Sequence, residues 1–367
     1  MNGLYIHCPF CVSKCHYCDF YSVADGYDLM DAFVDAVNIE AQPHRGMGFQ
    51  TVYLGGGTPS LLGAKRLEKL MGAFADIFDL GAISEGTIEV NPESASPAVL
   101  QTALASGLNR ISIGVQSLSD RELQSIGRIH TRAQAIEAVS RARETGFRNV
   151  SADLMIGLPG QDWPSLRESL ATLTELDVKH ISAYCLSVEP GTQLGLNPPQ
   201  DLPSDDCQAE LFEETRSMLI GKGFCHYEIS SFALGGFECR HNLNYWRGGE
   251  YLGLGPAAAS HLQGRRHRNR SDLQAYLMDP LGQAEEVEQL GPGRKAAEEA
   301  MLRLRLLSEG VASNVLTARY GEGNARKVIK ALDDLAYREL LTKEDSIYRL
   351  VPSRVLTSSP IFASLLE

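Results

Sequence analysis

Three cysteines set the chemistry open to the first part of the chain. The stretch Tyr5–Phe20 reads YIHCPFCVSKCHYCDF and places Cys11, Cys15 and Cys18 in a C-x3-C-x2-C spacing. Three thiolates on one short loop are soft ligands suited to zinc or to an iron–sulfur cluster. Structural sites normally close every coordination position, whereas three protein ligands keep one position for chemistry. On a [4Fe–4S] cube, three cysteines leave one iron open. A zinc knuckle or a chance cluster is the competing reading of the cysteines alone.

Further polar residues sit where apolar strands would not need them. Glu89 lies in TIEVNPES, Gln116 in ISIGVQS and Asp153 in SADLMIGLPGQ, and Arg128 follows in SIGRIH. Gly55-Gly56-Gly57-Thr58-Pro59-Ser60 lets backbone groups approach a ligand with no side chain between them. It is not the G-x-G-x-x-G dinucleotide fingerprint. Each feature alone is equally well a turn or a satisfied polar group.

The elements that must position these residues alternate. Strand-like runs are Leu4–His7, Thr51–Leu54, Thr87–Val90, Arg110–Val115, Asn149–Ile156 and His180–Leu186. Helix-like segments between them include Asp28–Ala41, Ala64–Phe78, Ala133–Thr145 and Pro164–Glu175. Such β/α alternation predicts a parallel sheet with helices outside, the fold class α/β. In barrel-like sheets, active residues follow the carboxyl ends of the strands. The cysteine loop and the glycine run both do.

Composition narrows the class. At 367 residues, 44% hydrophobic and 22% charged, the chain suits one large domain and a smaller one. The net charge of −12 argues against bulk nucleic-acid or anionic-membrane binding. Cysteines clustered near one end fit metal binding in a reducing compartment better than a disulfide framework. No basic, apolar leader opens the sequence and no run of about 18 apolar residues interrupts it, so the cytoplasm is the expected location.

With Tyr17 before its last cysteine, the C-x3-C-x2-C loop resembles the signature of the radical S-adenosylmethionine (SAM) superfamily. The resemblance implies a partial (β/α)6 barrel whose [4Fe–4S] cluster, on Cys11, Cys15 and Cys18, binds SAM at its open iron. The order and spacing of the polar residues resemble the oxygen-independent coproporphyrinogen-III-oxidase-like branch. That likeness assigns Tyr5, Gly56 and Glu89 to one SAM position, with the glycine run near the amino group. It assigns Gly57, Thr58, Gln116, Arg128 and Asp153 to a second, where the Arg128 fork suits a carboxylate. Gly157-Leu158-Pro159-Gly160 resembles the turn against which adenine rests, and Ser187 aligns with a further backbone contact.

Tyr227-Glu228-Ile229-Ser230-Ser231-Phe232 and Cys239-Arg240-His241-Asn242-Leu243-Asn244-Tyr245-Trp246 resemble the haem-chaperone members of that family. The resemblance implies a protein that binds haem and passes it to acceptors, membrane-associated respiratory proteins among them, and leaves a homodimer open. A haem site needs an axial ligand, flat apolar walls and cations for the propionates. His241, beside Tyr245 and Trp246, is the expected ligand, and Arg265–Arg270 (RRHRNR) either meets propionates or is a solvated hairpin. The alternative is the oxidase itself, which decarboxylates its substrate by radical chemistry. That enzyme has a further cysteine where Phe20 stands and an N-terminal extension before the motif, so the chaperone reading is preferred. Whether SAM is turned over stays open. Cys8 replaces the family's usual aliphatic residue; it is expected to pack as a small hydrophobe, the alternatives being a thiolate–haem contact or competition for the cluster.

From about Gly293 the pattern becomes helical: Lys295–Ser308, Val311–Tyr320 and Ala325–Arg338, then a hairpin around Glu344-Asp345. This resembles a small α+β winged-helix module, with Lys and Arg too interleaved with acids for a nucleic-acid footprint. The expected divisions are 1–223 for the barrel, 224–292 for its extension and 293–367 for the winged-helix-like part.

Overall fold

The computed structural model describes residues 2–366. Six parallel strands follow one another in sequence order: β1 (Asn2–Cys8), β2 (Thr51–Gly56), β3 (Glu85–Val90), β4 (Arg110–Gln116), β5 (Asn149–Ile156) and β6 (His180–Cys185). Successive strand residues face opposite sides. On one side Leu4, Ile6, Val52, Leu54, Ile88, Ile111, Ile113, Ala152, Leu154 and Ile181 join the main apolar core. On the other lie Tyr5, Tyr53, Glu89, Arg110, Ser112, Asp153 and Ser182. The strands therefore alternate, unlike parallel strands buried in oil on both faces. Their inner face is a polar lumen.

The outer face is covered by α1 (Met30–Ala41), α2 (Gly63–Ile77), α3 (Pro97–Ala105), α4 (Asp120–Ser125), α5 (Arg132–Thr145) and α6 (Trp163–Glu175). Side-chain caps fix several starts. Ser96 accepts from Val99 N, Asp162 accepts from Ser165 N, and Thr131 forms a capping box with Gln134. The apolar stripe of α2, Leu67, Leu70, Met71 and Phe74, is buried in the core.

Beyond β6, helix α7 (Asp205–Gly221) is capped by Ser204 and followed by β7 (Cys225–Glu228) and β8 (Ser231–Ala233). Helix α8 (Arg240–Trp246) leads to β9 (Glu250–Leu254), which lies parallel to β1, and then to β10 (Ala259–Leu262), β11 (Arg265–Asn269), α9 (Leu273–Met278) and β12 (Ala284–Gln289). The sheet has 12 strands in the order β12-β11-β10-β9-β1-β2-β3-β4-β5-β6-β8-β7, open at both ends. The RRHRNR run is thus strand β11 of this sheet.

The last part comprises α10 (Pro292–Arg303), β13 (Val311–Ala312), α11 (Ser313–Tyr320), α12 (Glu322–Tyr337), β14 (Leu341–Glu344), β15 (Ile347–Leu350) and α13 (Ser358–Ala363). Two helix expectations need correction. The first helix spans Pro292–Arg303, not Lys295–Ser308, because Pro292 suits its first turn and the chain leaves it to let Leu307 N donate to Tyr227 O at 3.0 Å. Val311 and Ala312 are strand, not helix, because they pair with Tyr348 and Ile347. Arg305 fastens this part to α8, its guanidinium 4.4 Å from the Trp246 ring centre, and lies 5.6 Å from the Phe362 ring centre within the part itself.

Glu40 pins the β11 extension to α1. Its carboxylate accepts from Tyr276 Oη and Asn269 Nδ2, both at 2.6 Å, and from Gly255 N at 2.7 Å. Glu40→Gln keeps the volume but puts an amide donor among these donors. The expected loss is about 1–3 kcal/mol of unfolding free energy, read from urea denaturation against the parent protein.

Candidate functional site

The cysteine loop leaves β1 at Cys8 and is tied down at its base and again between Cys15 and Cys18. Val23 N donates to Pro9 O at 2.7 Å, His16 N to Ile126 O at 3.0 Å and Leu194 N to His16 O at 2.8 Å. Tyr17 packs on the small apolar cluster of Ile126, Met155, Leu158, Leu186 and Leu194, which joins the loop to the ends of β5 and β6. Burial raises the pKa of the Tyr17 hydroxyl. Cys11, Cys15 and Cys18 are partly exposed free thiols.

Among the described residues no three His, Cys, Asp or Glu side chains close around a single metal ion. The three thiols are nevertheless near enough to influence one another: burial and then the neighbouring cysteines raise the Cys18 pKa, as burial raises that of Cys11. Three thiols on one partly exposed loop are a donor set suited to a [4Fe–4S] cluster. Cys8 is fully buried and its thiol is pushed up by burial, as expected of a small hydrophobe in the strand.

The polar residues surround this loop. Thr58 Oγ1 lies 3.8 Å from Cys11 Sγ and Arg128 Nη1 3.5 Å from Cys15 Sγ, each as donor. Asn91 joins them, giving Nδ2–H to Thr58 Oγ1 at 3.0 Å and accepting from Arg128 Nη2 at 2.8 Å. Asn91 was not among the expected site residues; its signal was the N-P-E-S cap that follows β3. Arg128 Nη2 also donates to Gly114 O at 2.8 Å, and its Nε is buried without a partner. That unused donor fits a ligand carboxylate. A Cβ added at Gly114 would lie 3.1 Å from Gln116 Nε2 and 3.4 Å from Arg128 Nη2, so this glycine leaves room for the two to converge. Gln116, the last residue of β4, has φ 63° and pairs with Leu154 after a register shift between β4 and β5.

Glu89 and Asp153 face each other across the lumen. Glu89 accepts from Tyr53 Oη at 2.6 Å and from Gly56 N at 3.2 Å. Burial, then the field of Asp153, pushes its carboxyl up to about 7 despite those donors. Asp153 is raised by burial although Ser182 and Ser112 donate to it, Ser112 Oγ at 3.2 Å. Tyr5 donates to His7 Nδ1 at 3.0 Å while His7 Nε2–H donates to Tyr21 O at 2.9 Å, an assignment consistent with burial lowering the His7 pKa.

His241 is placed differently from the rest. It lies on α8 near the amino-terminal ends of β2 and β3, 1% exposed, its backbone N–H on Glu85 Oε1 at 3.0 Å. Both ring nitrogens are taken, Nδ1 by Thr51 Oγ1 and Nε2 by Tyr245 Oη, each at 2.8 Å. Burial, then the field of Arg110, pushes its pKa down to about 3, so the ring is neutral. An iron reaches it only by displacing one of these bonds. Tyr227 Oη reaches His180 Nε2 at 2.8 Å, so the YEISSF and CRHN stretches both close the lumen from below.

A cavity of about 1070 Å³ opens between the lumen, β9–β11 and α10. Tyr5, Gly56 and Glu89 stand at one side, Tyr245, Trp246 and Tyr251 along a wall, and Arg266, Arg268, Lys295 and Arg319 at the other side. His261 also lines it, its Nε2 sealed from solvent without a hydrogen-bond partner, and nothing in the sequence singled it out.

The glycine run supports the loop by close approach. Gly57 N donates to Cys8 O at 2.8 Å, and a Cβ at position 57 would come within 2.6 Å of Phe10 O and 2.8 Å of Cys8 O. Both obstacles are backbone. Gly57→Ala is therefore expected to displace the cysteine loop, with several-fold less iron per chain after anaerobic reconstitution and an unchanged far-UV spectrum.

Residues 5–173 match the radical SAM superfamily. The chain is 37% identical over 308 residues to the haem chaperone HemW of Lactococcus lactis, covering 83% of this chain and 81% of that one. It is 33% identical over 382 residues to the haem chaperone HemW of Bacillus subtilis, covering 100% and 99%. Among solved structures, the coproporphyrinogen III oxidase HemN of Escherichia coli, a radical SAM enzyme, superimposes with a TM-score of 0.87 at 22% identity, over 99% of this chain and 89% of that chain. At that identity the likeness speaks for the fold: an α/β radical SAM barrel carrying a small C-terminal part. The chain belongs to the HemW family of the radical SAM superfamily.

Proposed function

We propose that this protein is a haem chaperone, which binds haem in the large cavity and hands it to acceptor proteins. The observation that carries the reading is the cavity itself: about 1070 Å³, walled by aromatic rings and bordered by cations. Aromatic rings suit a flat apolar macrocycle, and cations suit its carboxylates. The names borne by its relatives support the same reading.

Next to the cavity, Cys11, Cys15 and Cys18 hold a [4Fe–4S] cluster. SAM uses Tyr5, Gly56 and Glu89 in one position and Gly57, Thr58, Gln116, Arg128 and Asp153 in another, Arg128 Nε supplying a donor to a carboxylate. When bound, these groups supply one-electron chemistry. The chain's residues hold and orient them, and Glu89 offers negative charge to an amino group. His241 serves the haem site from below by fixing Tyr245 and Tyr53, the latter ring centre 5.1 Å away.

The deciding experiment uses protein with its cluster rebuilt anaerobically. One arm titrates haem and follows the Soret band; the other supplies coproporphyrinogen III, SAM and a reductant. Stoichiometric haem binding without decarboxylated product is expected. Product without tight haem binding would make the protein an oxidase. His241→Ala is expected to weaken haem about tenfold while iron content holds; unchanged affinity would remove His241 from the site.

A pH dependence follows from Glu89. Its folded carboxyl is raised to about 7, so the charge a cation needs is present above that pH and is lost as pH falls through it. SAM affinity, measured calorimetrically on reconstituted protein, is expected to weaken from pH 8 to pH 6 by about tenfold. Glu89→Gln should flatten that dependence; a parent profile already flat would remove Glu89 from the cation site.

A further inference from the structure

The cations that border the cavity are not equivalent. Arg266 Nη2 is paired with Glu298 Oε2 at 2.6 Å, and Arg319 Nη1 with Glu299 Oε2 at 2.6 Å. Glu298 and Glu299 line the cavity themselves. Glu299 is a buried carboxylate that also accepts from Arg303 Nε and Tyr320 Oη, both at 2.7 Å. The charge of Arg266 is thus spent within the protein, whereas Arg319 shares a single carboxylate with Arg303.

Arg268 and Lys295 differ. Among the described residues neither has a carboxylate within the 4.0 Å of an ion pair; Arg268 Nη2 donates to the Ser271 hydroxyl at 2.9 Å. Arg268 projects from β11 towards β1, where its charge helps to lower the pKa of His7. Lys295, in the first turn of α10, lies over the turn between β10 and β11. A Cβ added at Gly264 there would fall 1.8 Å from Lys295 Nζ, and Gly264 has φ +76°, so a glycine both makes the turn and leaves the ammonium its place. Gly264 and Arg268 stand four residues apart on one wall, a reach of about 13 Å along an extended strand.

We propose that this wall selects flat apolar ligands carrying two carboxylates over those carrying four. The inference rests on the haem reading above and deepens it. Arg268 and Lys295 each take one carboxylate. Further carboxylates would meet Glu298 beside an arginine that it already neutralises, a like-charge contact without compensation. Haem carries two propionates. A coproporphyrin carries four, so the same wall separates the cargo of a chaperone from the substrate class of an oxidase.

The test titrates the full chain, its cluster rebuilt, with three iron porphyrins, reading the Soret band: haem, its dimethyl ester and iron coproporphyrin III. Haem should bind at least about tenfold more tightly than either of the others. The Arg268→Gln, Lys295→Gln double variant should lose that advantage over the ester while binding the ester as the parent does. Glu298→Gln should bind iron coproporphyrin III more tightly than the parent. Equal affinities for haem and ester in the parent would overturn the inference and leave the haem site standing. So would a double variant that loses ester and haem alike, since the two residues would then only hold the wall together. No binding of any of the three would overturn the haem reading and this inference with it.

Discussion

A parallel sheet that turns polar side chains inward has to satisfy them without water, and much of this molecule answers that requirement. An inward-facing donor or acceptor left alone costs about 1–3 kcal/mol. Tyr53 is satisfied by Glu89, Asp153 by Ser112 and Ser182, Ser151 by His180, and Thr51 by His241. The last bond reaches beyond the six strands. His180 is completed by Tyr227, and Glu85 accepts the backbone N–H of His241. The two distinctive stretches of the second half are therefore structural parts of the barrel, closing its lower end. Among the inward groups, Thr87 Oγ1 and Arg110 Nε have no partner.

The same requirement shapes the electrostatics at the upper end. Glu89 and Asp153 are half-buried carboxyls raised by desolvation, Glu89 further by the field of Asp153. Desolvation disfavours the charged form of a carboxyl, and an incoming cation relieves it. On the other side of the cysteine loop the balance reverses. Arg128 is held by Asn91 and Gly114 and touches Cys15, with one donor unused. A lumen with acids on one side and a guanidinium on the other suits a ligand that carries both an amino and a carboxylate group.

The strand periods and the cysteine spacing were legible because each has a local physical cause. Alternation exposes the polar residues as inward-facing, and all six expected strands appear within a few residues of their expected ends. Ser204 caps the helix at Asp205–Gly221 through a bond three residues away, a local cause of the same kind. The role of Asn91 was not legible, since it depends on Thr58 and Arg128 arriving from elsewhere in the chain. Nor was the enclosure of His241: its sequence neighbours Tyr245 and Trp246 suggest a ligand-lined loop, whereas Thr51 and Glu85 bury it. The strand at Val311–Ala312 exists only because Tyr348 and Ile347 return beside it. Long-range pairing of that kind leaves no local trace.

The RRHRNR run shows how position resolves what composition leaves open. As a strand, its odd and even members part company. Asn269 turns inward to Glu40, whereas Arg266 and Arg268 border the cavity. Of those two, one is neutralised by Glu298 and one is not. A dense basic stretch thus offers a single uncompensated charge to the cavity, and the second comes from Lys295, outside the run. The count of charges in the sequence overstates what a ligand meets. What the ligand meets is the remainder after the protein has paired its own carboxylates, and on this wall, among the described residues, Arg268 and Lys295 are the two cations left without one.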